Sequence, residues 1–268
     1  MTQGMKNTVK VLAVFLIVCC ICAFAVLLVI NPNNVFGFQE KSTGETSEGE
    51  KYIQALEAEP TGPIEEAIFS KRREEILQQF RDNPDRIWPT LVEYDLVFCG
   101  DSRGIGFTTE GYVDYAHNVS NYSRTIYNIP DYYETFKEMQ PRMILICYGI
   151  NDLGLYQWEG KEKYTEDLAN FVYKLRELVP GVDVYVNSIP PSLPSEYERG
   201  PAWALIPEWN EYIKAYCKEH DIHYVDISDL CNAHPEMYDI DGVHFINSFY
   251  PLWGMRIVTT IIENENEN

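Results

Sequence analysis

Positive charge is what this chain lacks most. Its 268 residues hold 21 Lys and Arg against 41 Asp and Glu, a formal charge of −20. No basic stripe is present to neutralise phosphates, which argues against nucleic acid and anionic lipid surfaces as partners. Histidine is scarce too, at five residues. His117, His220, His223 and His234 do not fall in tight ligand spacings, so no metal site and no cofactor are expected. Cysteine shows no dense framework. Three of the seven lie in one apolar run, and Cys99, Cys147, Cys217 and Cys231 are scattered. A domain this large buries its own core without staples, so buried thiols are the expectation, with a Cys99–Cys147 pairing left open. Internal repeats are absent.

The chain also lacks any acid before Glu40. Val11 to Ile30 is twenty uncharged, apolar residues behind Lys6 and Lys10. As a helix this run would span roughly 30 Å, the thickness of a bilayer's hydrocarbon core. The two lysines place residues 1–10 in the cytoplasm and the remainder outside. The run is longer than a signal-peptide core and no small-x-small site follows, so a retained anchor over 11–30 is expected rather than a cleaved leader. Residues 31–50 read as a disordered linker of Ser, Thr, Gly and Glu. Residues 51–90 read as a helical lead-in, with an amphipathic helix over 63–81 that opens on Pro63 and stops at Asp82-Asn83-Pro84. Behind the anchor, about −22 of charge lies on the exported part.

From Glu93 onward short apolar runs alternate with helical patterns. Strands are expected at 94–99, 113–118, 142–148, 182–187 and 222–227, and helices at 130–139, 162–178, 203–219 and 248–262. That order implies parallel crossovers and a layered α/β sheet whose site lies at the carboxyl ends of the strands. The loop over 188–199, rich in Pro, Ser and charge, follows one of those ends as a cleft wall or an ordinary surface loop.

Three motifs stand out, two of them at such ends. Gly100-Asp101-Ser102 follows the run Leu96 to Cys99. A serine leaving a buried strand for the first turn of a helix sits where backbone N–H groups favour a developing oxyanion. Alone, the tripeptide is also an ordinary capping turn. Gly149-Ile150-Asn151-Asp152 follows Met143 to Cys147 and offers a neutral amide donor. Asp241-Gly242-Val243-His244 precedes the last helix, and there a carboxylate can fix the tautomer of a proton-accepting imidazole.

Taken together and in this order, the motifs resemble the SGNH/GDSL hydrolase superfamily over residues 91–262. The resemblance implies a flavodoxin-like three-layer α/β/α sandwich and serine-dependent cleavage or transfer of ester-linked acyl groups. It implies Ser102 as nucleophile, His244 as base and acid, and Asp241 as its partner. It also implies an oxyanion hole of the Ser102 N–H, the Asn151 amide and a loop N–H. Ser123 stands where relatives carry that loop's glycine, so a left-handed backbone there would be strained. Arg103 departs from the apolar residue many relatives have. It is a candidate to contact a substrate carboxylate or phosphate, or a backbone carbonyl, from the cleft, or to pair with a structural acid. The substrate implied is an ester, an O-acylated glycan among the options, with Trp158, Trp203, Trp209 and Trp253 available for stacking or for the core. An O-acyltransferase built on the same residues and an inactive binding protein are the alternatives.

Overall fold

The computed structural model describes Gly49, residues 62–154 and residues 160–265. The expected cytoplasmic segment and anchor, the linker apart from Gly49, residues 51–61 of the lead-in and Trp158 lie outside the described residues. Among the described residues, no helix is long and apolar enough to cross a membrane. The chain divides into two compact units, Met1–Pro63 and Ile64–Asn268, and the second carries the sheet.

The order is α1 (Gly62–Asp82), α2 (Ile87–Glu93), β1 (Leu96–Gly100), α3 (Ser102–Thr109), α4 (Tyr133–Met139), β2 (Met143–Cys147), α5 (Ile150–Gly154), α6 (Lys161–Leu178), β3 (Asp183–Asn187), α7 (Ile206–Glu219), β4 (His223–Val225), α8 (Ser228–Ala233) and α9 (Tyr250–Glu265). The four strands are parallel and lie in the order β1-β2-β3-β4. Both faces are covered, which explains why β1 and β2 are unbroken apolar runs. One face packs Val97, Ile144, Ile146 and Val184 against Leu168 and Val172 of α6 and Ile213 of α7. The other packs Phe98, Leu145 and Val225 against Phe107 of α3 and Trp253, Ile257 and Ile261 of α9. Apolar residues recur three or four apart in α6 and α9, so each helix presents one stripe to the sheet. Each large apolar side chain buried there contributes about 1.5–3 kcal/mol.

One expectation changes and one open option closes. The stretch 113–118 does not form a strand, only a parallel bridge from Asn118 to Phe98. Its start turns instead, with Asp114 accepting from the His117 N–H at 3.0 Å. Beyond it, His117 O, Val119 N and Asn121 N bond Phe98 N, Phe98 O and Gly100 O at 2.8, 2.8 and 3.0 Å. Polar Asn118 is spent inward, donating to Gly104 O and Thr108 Oγ1, both at 3.0 Å. The segment therefore borders β1 without completing a ladder. The Cys99–Cys147 pairing is also ruled out. Cys147 is one step out of register with Cys99, beside Gly100, so strand alternation sends the thiols to opposite faces of the sheet. All four cysteines among the described residues are free and buried.

Candidate active site

Gly100 ends β1 tight against β2: a Cβ there would lie 2.5 Å from Cys147 O. Asp101 then caps α3, its carboxylate accepting the Arg103 N–H at 3.0 Å. Ser102 is thereby the first residue of the helix, and its N–H has no intrahelical acceptor. Burial pushes the Asp101 carboxyl up, against the pull of the Arg103 guanidinium and N–H.

A short hairpin brings the histidine. Tyr238 pairs antiparallel with Phe245, and Asp239 N bonds His244 O at 2.8 Å. Gly242 turns the tip at φ +66°, in the left-handed region that favours glycine. Asp241 Oδ1 accepts the N–H groups of Val243 and His244, each at 2.9 Å. Its Oδ2 lies 2.6 Å from His244 Nδ1, and His244 Nε2 lies 2.8 Å from Ser102 Oγ. With the ring proton on Nδ1, the imidazole donates to the carboxylate and accepts from the hydroxyl. That polarity prepares the hydroxyl oxygen to attack a carbonyl.

Residues matching the GDSL-like lipase/acylhydrolase family model run from 98 to 250, more than half the chain and all three motifs. The chain belongs to that family. It is a serine hydrolase acting on esters. Its fold resembles that of a GDSL-like lipase from Bacteroides thetaiotaomicron, at 20% identity and a TM-score of 0.52 over 70% of this chain and 98% of the other. A lipase/acylhydrolase from Enterococcus faecalis is 19% identical with a TM-score of 0.49, over 63% of this chain and 95% of that one. No protein among those with curated functions matches.

The remaining sequence-predicted residues of this GDSL-family domain divide. Ser123 has φ +55°, in the left-handed region that favours glycine. Asn151 sits in the first turn after β2, and its Nδ2 donates to Arg124 O at 2.9 Å, next to Ser123. Asp152 is fully buried and its Oδ1 accepts the Ile126 N–H at 3.0 Å. Burial raises that carboxyl to about 7, although hydrogen bonds from backbone N–H groups oppose the shift. Neighbouring side chains on the α5 turn thus grip the segment after Ser123 on both sides of Thr125. Asn121 N bonds Gly100 O at 3.0 Å and joins the same loop to the end of β1.

Arg103 is not a substrate contact. Its side chain is 1% exposed, and its guanidinium donates to Pro190 O and lies 3.7 Å from Asp101 Oδ1. The buried contact with the Asp101 carboxylate matches the structural option. The 188–199 loop backs the hairpin: Leu193 N bonds Gly242 O at 2.8 Å and Arg199 donates to Asp241 O at 3.0 Å. Trp209 and Trp253 are core residues. Trp203 is half-buried and donates from Nε1 to Ile150 O at 3.0 Å, bracing the Asn151 turn. Sequence reading missed Trp203 and Pro190 in these roles because each acts through a partner tens of residues away. The other histidines serve locally. His117 pairs with Asp114 and His234 with Glu236, while His220 stacks on Tyr216 and His223 on Tyr185. Among the described residues, no three His, Cys, Asp or Glu side chains are grouped to hold a metal ion.

Two expected outcomes arise here. Ser123→Gly should stabilise the domain by about 0.5–1 kcal/mol, since relief of the left-handed strain exceeds the entropy glycine loses on folding. Urea unfolding with an unchanged slope measures it, and a destabilised variant would contradict it. On the resemblance's assignment of Asn151 as an oxyanion donor, Asn151→Ala should lower kcat about 100- to 1,000-fold with little change in KM, the usual cost of one such donor. A loss in KM alone would contradict it.

Proposed function

We propose that this esterase is held in a membrane by residues 11–30 and works outside the cytoplasm, removing acetyl groups from carbohydrate hydroxyls at the cell surface. The observation that carries the hydrolytic part is the unbroken hydrogen-bonded line from Asp241 through His244 to Ser102.

In this reading His244 takes the Ser102 proton as Oγ attacks the ester carbonyl. The tetrahedral oxyanion is held by the Ser102 and Ser123 N–H groups and the Asn151 amide. His244 then protonates the departing sugar oxygen, leaving an acetyl-serine. Water, deprotonated by His244, attacks that ester. Acetate departs and Ser102 recovers its proton.

The carbohydrate preference rests on aromatic surface beside these groups. Tyr122, 59% exposed, adjoins Ser123, and half-buried Trp203 abuts the Asn151 turn. Flat aromatic faces beside polar donors suit sugar rings. The location outside the cytoplasm rests on the order Lys6, Lys10, then an apolar run followed by every acid in the chain. Full-length protein in detergent micelles, given O-acetylated polysaccharide, aryl acetates and long-chain aryl esters, tests the proposal. Acetate release from the polysaccharide, absent with Ser102→Ala and faster than long-chain cleavage, is expected. A preference for long-chain esters would refute the carbohydrate assignment. Protease accessibility of the domain in intact cells tests the orientation.

A further inference from the structure

Arg103 and Tyr238 reach the same dipeptide from two different elements of the site. The Arg103 guanidinium donates to Pro190 O. The Tyr238 hydroxyl donates to Pro191 O at 2.7 Å. Arg103 follows Ser102 directly, whereas Tyr238 starts the hairpin that carries Asp241 and His244 and pairs with Phe245, the residue after the histidine. Both side chains are buried, at 1% and 8% exposure.

The dipeptide is suited to hold them. Two successive prolines have φ fixed near −65°, and Pro191 restricts ψ of Pro190, so the Pro190 carbonyl keeps a set direction. The residue before them is clamped as well. Buried Asn210 of α7 accepts the Ile189 N–H and donates to Ile189 O, both at 2.8 Å. Beyond the pair, Leu193 N bonds Gly242 O at 2.8 Å.

We propose that Pro190-Pro191 is a strut that sets the distance between Ser102 and His244, with Arg103 and Tyr238 as positioning residues. The proposal rests on the reading in which Ser102 and His244 act together. Those two residues are 142 positions apart in sequence, and their direct link is one 2.8 Å hydrogen bond. Such a bond must be re-formed at each turnover. Small errors in placement of reacting groups are costly, so a rigid spacer between their two supports acts on rate rather than on substrate affinity. Arg103 also offsets the Asp101 carboxylate that caps the nucleophile's helix, a pairing a buried guanidinium makes better than an ammonium.

The test uses full-length protein in detergent and 4-nitrophenyl acetate, with Arg103→Lys, Tyr238→Phe and the double variant. Assays are run well below each variant's unfolding temperature. Each single change is expected to lower kcat 10- to 100-fold with KM within twofold, and to slow fluorophosphonate labelling of Ser102 in step. The double variant should be no slower than the slower single one, because either change frees the same strut. Folded variants that keep kcat within twofold, or losses that multiply in the double variant, would overturn the proposal. If Arg103→Lys fails to fold, Tyr238→Phe decides by the same kcat and KM criterion. Ser102→Ala separates the two levels. If it is inactive while the strut variants turn over normally, the strut alone is refuted. If it keeps turnover, the underlying reading falls and the strut with it.

Discussion

Ser102→Ala should lose about four to six orders of magnitude in ester turnover while the domain stays folded. The hydroxyl is the atom that faces His244 Nε2, and no other donor or acceptor partner of Oγ occurs among the described residues. Helix α3 is capped by Asp101, not by Ser102, so the helix start survives the change. Stability should therefore move by no more than about 0.5 kcal/mol. Initial rates on 4-nitrophenyl acetate and a thermal melt by circular dichroism check both halves. A variant within tenfold of the wild-type rate would remove Ser102 from the chemistry.

Asp241→Asn should cost about 1,000- to 10,000-fold in kcat with the hairpin intact. The asparagine oxygen can still accept the Val243 and His244 N–H groups that shape the loop. Its amide must then face His244 Nδ1 as a donor. That forces the ring proton onto Nε2, which can no longer accept from Ser102. Aspartate avoids this at any ordinary pH. Burial alone would raise the Asp241 carboxyl, but hydrogen bonds from the His244 N–H and ring and from the Val243 N–H hold it at about 2. A depressed carboxylate supports the fold fully above its unfolded value, about 3.9, and that support fades as pH falls through about 2. Activity lost between pH 8 and pH 4 thus belongs to a group other than Asp241. A pH–rate profile of kcat/KM with a matching melt at each pH checks this. Asn at full activity would exclude the tautomer role.

The strut and these two side chains depend on different kinds of information. Asp241 and His244 are three residues apart and meet through a turn that Gly242 permits, so their pairing is local and readable. Gly100-Asp101-Ser102 is local in the same way: a buried run, a close approach to the next strand, then a cap. The α/β alternation was legible because apolar runs of five residues and stripes of 3.6-residue period leave different traces. The segment 113–118 misled because its apolar and aromatic residues suggest a ladder. Asn118 and the Asp114 turn take its hydrogen bonds elsewhere.

The sequence by itself determined the strand-helix order apart from 113–118, two motifs at strand ends and one before the last helix, the family and the serine at position 123. Each element and motif follows from neighbours within a few residues, where backbone geometry alone sets the relation, and the family follows from the order of the motifs. Only the tertiary structure decided that His244 meets Ser102, that Arg103 turns inward to Pro190, and that Asn151 and Asp152 seize the Ser123 loop. It also decided that Cys99 and Cys147 part to opposite faces. These relations join residues that sheet register and layer packing bring together across long stretches of chain. No local periodicity records which carbonyl a buried guanidinium will find.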